Sequence, residues 1–222
     1  MTRVKICGLT NREDLALAVD AGADALGFIA DVPVDTPREV DATTAADLVA
    51  AAPPFVTTTL VLMPESPTHA VGLARTVQPD VLQLHADFDP EEFQFVRAES
   101  SVKLVVVVDA ADRERAREVD DVADAVLVDS TTDEGAGGTG ETHDWAATRE
   151  LAAAIDSPVV LAGGLTPENV AGAVETAAPY GVDVASGVES SGGVKDADAV
   201  RAFVRAVRRA ELGALDEDEV MA

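Results

Sequence analysis

The thiol of Cys7, the only cysteine in the chain, is the side chain with the most distinctive chemistry. It ends a short β-branched run that begins at Arg3, and Gly8 follows it directly. Thr10 and Glu13 then have the spacing of a capping box that starts a helix. A strand end facing a helix start is a common place for a reactive side chain in an α/β protein. We therefore expect the chemistry here, although a lone cysteine also suits a small buried hydrophobic position.

Two glycine-rich segments have the composition of phosphate-binding loops. They contain Gly163, Gly164, Ser186 and Gly187. In the first segment, Thr166 is predicted to cap a helix that begins at Pro167. Bare backbone and a helix N-terminus present N–H groups to an anion, so a phosphate can bind without lysine. The alternative is that these glycines only form tight turns.

A third glycine cluster spans residues 135–140 and matches the dinucleotide-binding fingerprint literally. It does not open a helix directly, because residues 141–143 intervene before the next helical pattern. We therefore interpret it as a loop that closes over a ligand. Gly138 and Gly140 are predicted to adjoin the phosphate site.

For other polar residues, the alternation of side chains along a strand predicts which face of the sheet they occupy. Gln83 and His85 share one face of a strand and are predicted to line a barrel rather than to catalyse. Lys5 shares its face with Cys7, and an unpaired ammonium inside a barrel is very costly. In a closed barrel the last strand lies beside the first, so we predict an ion pair between Lys5 and Asp183.

These residues must be positioned by a repeated pattern of short apolar runs and helical segments. The runs cover residues 3–7, 25–29, 56–62, 81–84, 102–108, 125–128, 159–162 and 182–185. Near-continuous apolar strands that alternate with helices are typical of a parallel sheet covered on its faces. Eight such units in 222 residues predict a single-domain α/β protein with a (β/α)8 TIM barrel.

Composition limits the classes of protein and partner. The chain is 47% hydrophobic, which suffices for one core, and we place the barrel at residues 1–211 with an acidic, frayed tail at 212–222. Forty-one acidic against sixteen basic residues give a net charge of -25. That charge argues against nucleic acid or an anionic membrane as partner. Acids scattered over the whole chain are typical of proteins from organisms with high internal salt, where the Debye length is roughly 3 Å.

The chain shows no apolar run long enough to span a membrane, and one cysteine cannot form an internal disulfide. We therefore expect a cytoplasmic protein. Its partner is expected to be a small phosphorylated molecule. The sequence leaves open whether the protein is a monomer or a homodimer.

Six segments together resemble a known family. They are KICGLT at 5–10, LQLH at 82–85, VD at 128–129, GGTG at 137–140, AGGLTPENV at 162–170 and SGVE at 186–189. In this order they are similar to the phosphoribosylanthranilate isomerases of tryptophan biosynthesis, which are (β/α)8 barrels. The resemblance implies an Amadori rearrangement of a phosphorylated aminosugar without a metal or cofactor.

The resemblance implies that Cys7 is the general base and Asp129 the general acid. Reference pKa values of about 8.5 for a thiol and about 3.9 for a carboxyl leave both groups in the unreactive form near neutrality. We expect the apolar strand end to raise the pKa of Asp129, and N–H dipoles or a cation to stabilise the Cys7 thiolate. Arg38 matches the arginine that holds the anthranilate carboxylate, although a surface ion pair is the alternative.

Other readings remain open on the sequence alone. Indole-glycerol-phosphate synthase or a pentose-phosphate epimerase would share the glycine loops, as would a non-catalytic barrel that binds a phosphorylated ligand. A structural, salt-adapted protein would explain the charge but not the polar strand ends. Glycine loops on one side of the barrel favour a single substrate over a second, histidine-pathway one.

Overall fold

Eight parallel strands close into a barrel in chain order. The structure is a computed structural model that describes residues 1–129 and 145–220, with side chains as far as residue 210. The strands are β1 (Arg3–Ile6), β2 (Ala25–Ile29), β3 (Thr57–Leu62), β4 (Val81–Leu84), β5 (Lys103–Asp109), β6 (Ala125–Asp129), β7 (Val159–Leu161) and β8 (Gly181–Val184). Each strand end lies within one residue of its predicted position. The predicted (β/α)8 barrel is therefore confirmed.

Each strand is followed by a helix in the described part of the chain. The helices are α1 (Arg12–Ala21), α2 (Ala42–Ala51), α3 (Pro67–Val77), α4 (Pro90–Ser100), α5 (Arg113–Val119), α6 (Trp145–Ala152), α7 (Val170–Ala177) and α8 (Ala197–Val220). A short antiparallel hairpin, β9 (Glu189–Ser191) and β10 (Val194–Lys195), lies between β8 and α8. Helix α8 runs through residue 212 without a break, and the division of the chain at 211/212 stays a prediction.

Three aspartates at the amino end of the barrel join neighbouring strands. Each precedes an even-numbered strand, and its carboxylate accepts the amide of the second residue in the strand before it. The bonds run from Val4 to Asp24 (2.8 Å), from Thr58 to Asp80 (2.8 Å) and from Leu104 to Asp124 (2.9 Å). Charge-assisted bonds of this kind are stronger than neutral ones. They explain why an aspartate recurs just before these strands.

Asp183 departs from this repeat, because it lies inside β8 instead of before it. Strands β8 and β1 pair with Lys5 opposite Asp183. Side chains alternate along a strand, so this register directs both residues to the interior of the barrel.

The hydrophobic core lies between the outer face of the barrel and the ring of helices. Phe28 on β2, Phe93 on α4 and Phe203 on α8 are fully buried there. Burying one such side chain stabilises a fold by about 1.5–3 kcal/mol, so this layer holds each helix against its strand. No helix in the described residues is long and apolar enough to cross a membrane.

The predicted capping box at the start of α1 is wrong. Asn11 is the N-cap, and its side chain accepts the amide of Asp14 at 2.9 Å. The hydroxyl of Thr10 instead donates to the carbonyl of Gly193 in the β9–β10 hairpin at 3.2 Å. The Thr10 side chain, which local spacing assigned to the helix N-terminus, thus forms a tertiary hydrogen bond instead.

The predicted start of α7 is also wrong, because the helix begins at Val170 instead of Pro167. Asn169 accepts the amide of Thr166 at 2.8 Å and donates to the carbonyl of Gly164 at 2.9 Å. These bonds fold residues 166–169 into a separate turn in front of the helix.

Candidate active site

Cys7 comes directly after β1 at the carboxyl end of the barrel and is buried. Its amide donates to the carbonyl of Val184 at 2.8 Å, so the strand end is tied to β8. Burial raises the pKa of the Cys7 thiol, and the Lys5 ammonium beneath it opposes this shift. N–H dipoles or a cation were expected to stabilise the thiolate; Lys5 acts in that direction, but desolvation outweighs it.

The predicted ion pair between Lys5 and Asp183 is confirmed. Lys5 Nζ donates to Asp183 Oδ2 at 2.9 Å, and both side chains are about nine-tenths buried. Burial opposes the charge on Lys5, but the carboxylate of Asp183 outweighs it and raises the pKa of the ammonium. Asp183 Oδ1 has no hydrogen-bond partner among the described residues. The pair places two opposite charges in the floor of the site.

Gln83 and His85 line the interior, as predicted. Gln83 Nε2 lies 3.2 Å from His85 Nε2. Burial lowers the pKa of His85 to about 4, and the positive charge of Lys5 adds to that effect. The imidazole is therefore neutral at pH 7, which suits a lining residue better than a cation that holds an anion.

Asp129 is the last residue of β6, and strand register places it on the inner face. One residue pair for each of the eight strand junctions continues this face around the barrel: Lys5–Ala25, Gly27–Thr59, Val61–Gln83, Gln83–Val105, Asp109–Asp129, Leu127–Val160, Val160–Gly181 and Asp183–Lys5. The face closes on itself, so Asp129 has the same inward orientation as Lys5 and Cys7. Asp109 ends β5 beside it, and the sequence analysis did not identify this neighbour.

Arg38 is held by a fork that the sequence did not predict. Its Nε and Nη2 donate to the two carboxylate oxygens of Glu189 at 2.9 and 2.8 Å. The Arg38 side chain is 23% exposed and that of Glu189 only 4%, so this is a half-buried pair instead of the surface pair considered as the alternative. A Cβ added to Gly8 would lie 2.8 Å from Arg38 Cδ, so the arginine lies against the residue that follows Cys7.

The glycine loops after β7 and β8 contact each other. A Cβ on Gly187 would lie 1.9 Å from the carbonyl oxygen of Leu165, so only glycine fits there. Gly163 and Gly164 have φ values of 86° and 60°, a conformation that favours glycine and that a tight turn also requires. Ser186 opens a single 3-10 turn beside them. The predicted phosphate residues Gly138 and Gly140 lie outside the described residues.

Glu189 and Lys195 are two further polar residues of this end that no sequence pattern assigned to the site. Lys195 Nζ donates to Glu189 Oε1 at 2.7 Å, and its side chain is fully buried. The scarcity of lysine could have drawn attention to Lys195, because the chain has only three lysines. Two of them, Lys5 and Lys195, are buried at this end.

The arrangement suits proton transfer on a small anionic molecule. A thiol and a carboxyl have inward positions at the ends of different strands, the Arg38 side chain lies against Gly8, which follows the thiol in the chain, and glycine backbone forms the adjoining rim. Within the described part of the chain, no group of three or more histidine, cysteine or acidic side chains is arranged to hold a metal ion.

Comparison with protein families gives a match over residues 4–206, to N-(5'-phosphoribosyl)anthranilate (PRA) isomerase. A relative named N-(5'-phosphoribosyl)anthranilate isomerase from Haloferax volcanii is 62% identical over 222 residues, which is 100% of both chains. A relative of the same name from Halobacterium salinarum is 60% identical and covers 92% of this chain and 94% of its own.

Solved structures agree. Phosphoribosyl anthranilate isomerase from Thermotoga maritima has a TM-score of 0.81 and 34% identity, covering 94% of this chain and 99% of its own. A phosphoribosyl anthranilate isomerase in complex with reduced 1-(o-carboxyphenylamino)-1-deoxyribulose 5-phosphate has a TM-score of 0.78 and 32% identity, with the same coverage.

Proposed function

The chain belongs to the N-(5'-phosphoribosyl)anthranilate isomerase family, and from this premise we propose that Cys7 is its general base and Asp129 its general acid. The enzyme is an aldose-ketose isomerase of tryptophan biosynthesis. It converts N-(5'-phosphoribosyl)anthranilate to 1-(2-carboxyphenylamino)-1-deoxyribulose 5-phosphate by an Amadori rearrangement. The halophilic relatives also confirm the high-salt origin inferred from the acidic composition.

In this proposal Asp129 donates a proton to the ring oxygen of the sugar, and the ring opens to a Schiff base. Cys7 then removes the proton at C2' and an enolamine forms, which becomes the ketose. The observation that carries the assignment is the strand register, because it directs both side chains to the inner face of the carboxyl end. Burial raises the pKa of the Cys7 thiol and Lys5 beneath it only partly opposes this rise, so in this proposal Cys7 acts through a minor thiolate fraction.

We assign the anthranilate carboxylate to Arg38. Glu189 occupies the Nε and Nη2 edge of the guanidinium, and Nη1 has no hydrogen-bond partner among the described residues. A guanidinium binds a carboxylate through two parallel N–H groups, and the edge that carries Nη1 suits this contact.

We assign the phosphate to Gly163, Gly164, Ser186 and Gly187, with Gly138 and Gly140 as further predicted contacts. Contact between the loops after β7 and β8 supports one shared anion site there, the usual phosphate position in such barrels. Gln83 and His85 would line the space between phosphate and aromatic ring.

For assembly the proposal is a monomer or a homodimer. The Thermotoga maritima isomerase is described as a dimeric enzyme from which monomers have been generated. Light scattering of the purified chain in concentrated potassium chloride distinguishes the two states. A cytoplasmic location remains a prediction.

The function is tested by mixing purified enzyme with freshly made N-(5'-phosphoribosyl)anthranilate and following the loss of its fluorescence. Wild-type protein is expected to turn the substrate over, whereas Cys7→Ser and Asp129→Asn are expected to lower kcat by about 100-fold to 10,000-fold, the range for loss of one acid or base. Full activity in both variants would contradict the assignment.

A further inference from the structure

The charges around Arg38 form a cluster of three buried or half-buried side chains. Glu189 binds two cations at once: Arg38 through both carboxylate oxygens, and Lys195 through Oε1 at 2.7 Å. Lys195 Nζ also donates to the carbonyl of Ala185 at 3.1 Å. Burial opposes ionisation of Glu189, but the bonds from Arg38 and Lys195 outweigh it and lower the pKa of the carboxyl. The carboxylate is therefore ionised at neutral pH.

The charge balance of this cluster depends on Lys195. Arg38 with Glu189 alone would be a neutral pair, and a neutral pair attracts an anion weakly. The ammonium of Lys195 offsets the charge of Glu189, which leaves one net positive charge with the guanidinium at its exposed side. Because the pair is partly buried, salt screens this charge less than it screens fully exposed charges.

The β9–β10 hairpin holds the cluster against the loop that carries Arg38. A Cβ on Gly193 would lie 2.4 Å from the carbonyl oxygen of Pro37, so the hairpin and the arginine loop touch through backbone. Thr10 binds the carbonyl of Gly193, and the carboxylate of Asp14 accepts the amide of Lys195 at 3.1 Å. The position of Arg38 is thus determined by an element from the other end of the chain.

We propose that Glu189 and Lys195 are positioning residues for the substrate carboxylate: Glu189 fixes the guanidinium of Arg38, and Lys195 preserves its positive charge for the anthranilate group. This rests on the proposed role of Arg38. Neither residue touches the substrate, and both act through the arginine.

The test compares two ligands that differ only in the carboxylate. One is the reduced product analogue, reduced 1-(o-carboxyphenylamino)-1-deoxyribulose 5-phosphate, and the other is its phenylamino counterpart without the ring carboxylate. The measured quantity is the ratio of their dissociation constants, determined by calorimetry at one high potassium chloride concentration. This ratio isolates carboxylate recognition from phosphate and sugar binding.

Arg38→Met is expected to reduce the preference for the carboxylated ligand by about 100-fold, because the charge-assisted bonds to the carboxylate are lost. Lys195→Met is expected to reduce it by about 10-fold, because those bonds are weakened but remain. Lys195→Arg retains the charge and is expected to restore most of the preference. With N-(5'-phosphoribosyl)anthranilate as substrate, Lys195→Met should raise KM more than it lowers kcat.

Lys103→Met is the matched control, because Lys103 also pairs with a carboxylate, that of Asp124 at 2.8 Å, but at the amino end. It should leave the preference unchanged. If Lys195→Met does not fold, Glu189→Asp replaces it, since the shorter side chain withdraws the fork from Arg38 and should lower the preference similarly. An unchanged preference in these variants, while Arg38→Met loses it, overturns the inference. An unchanged preference in Arg38→Met overturns the proposed role of Arg38 itself.

Discussion

The two ends of the barrel use the same kinds of side chain in opposite ways. At the amino end, Asp24, Asp80 and Asp124 each accept a backbone amide of the preceding strand. Asp24 and Asp124 also bind arginine or lysine side chains that solvent reaches. A cavity of about 960 Å³ opens here, but its carboxylates serve to join neighbouring strands.

At the carboxyl end the charges are buried and paired with each other instead of with the backbone of the strands. Asp183 binds Lys5, and Glu189 binds both Arg38 and Lys195. Buried pairs are costly to desolvate and contribute little net stability. Because these pairs occur at the carboxyl end, we infer that this end serves catalysis and that the amino end serves stability.

The sharpest test of this comparison uses two aspartates at opposite ends of β6. Asp129→Asn removes the proposed acid and is expected to lower kcat about 1,000-fold, with a change in unfolding free energy of at most about 1 kcal/mol. Asp124→Asn weakens its bonds to the Leu104 amide and to Lys103, and should cost about 1–2 kcal/mol of stability with kcat within about twofold. The fluorescence assay and urea unfolding measure both quantities. Similar losses of kcat in the two variants would remove the distinction between the ends.

The buried pair should respond strongly to the loss of one partner. Lys5→Met leaves the Asp183 carboxylate uncompensated inside the barrel and is expected to cost about 3–5 kcal/mol of unfolding free energy. The double variant Lys5→Met with Asp183→Leu should recover most of that loss, because neither charge remains. Denaturant unfolding at fixed salt measures both. A cost below about 1 kcal/mol for Lys5→Met would mean that the interior is better solvated than the burial of the pair implies.

His85 should make the carboxyl end sensitive to acid. Its pKa is about 4 in the folded protein against 6.5 for the free group, so the unfolded chain binds a proton first as the pH falls. Stability is therefore lost between about pH 6.5 and 4, by up to about 3 kcal/mol for this one group.

The measurement is the difference in this pH dependence between wild type and His85→Asn. His69→Asn is the matched control, because His69 is a partly exposed histidine on α3 beside Asp31. Identical pH profiles for wild type and His85→Asn would show that His85 titrates normally.

The smallest effect is expected at an exposed pair on the outer helices, where Arg75 and Glu99 lie in the last turns of α3 and α4 at the amino end. Arg75 binds Glu99 at 2.9 Å, and the two side chains are 60% and 50% exposed. Arg75→Met should cost at most about 1 kcal/mol, and less as salt rises, because solvent and ions screen the pair. Thermal unfolding at two salt concentrations measures this. A loss as large as that of Lys5→Met would contradict the idea that burial sets the cost.

Much of the fold could be predicted because its signals are local. Apolar runs and helical periodicity located the eight barrel strands to within one residue but missed the β9–β10 hairpin, and strand parity with barrel closure identified the Lys5 and Asp183 pair. Local spacing failed where another hydrogen-bond partner competed, a tertiary one for Thr10 and one in the same loop for Asn169. Thr10 binds Gly193 instead of capping α1, and Asn169 forms a turn in front of α7.

The alternating units, their closure into a barrel and the positions of Cys7 and Asp129 at strand ends could be predicted from the sequence. Periodicity and turn chemistry are properties of neighbouring residues. The bond between Arg38 and Glu189, and the contact through which Lys195 offsets the charge of Glu189, are visible only in the tertiary structure. Arg38 and Glu189 are 151 residues apart in the chain. Such partners are chosen by the geometry of the closed barrel and by the cost of burying an unpaired charge, and no local pattern encodes either.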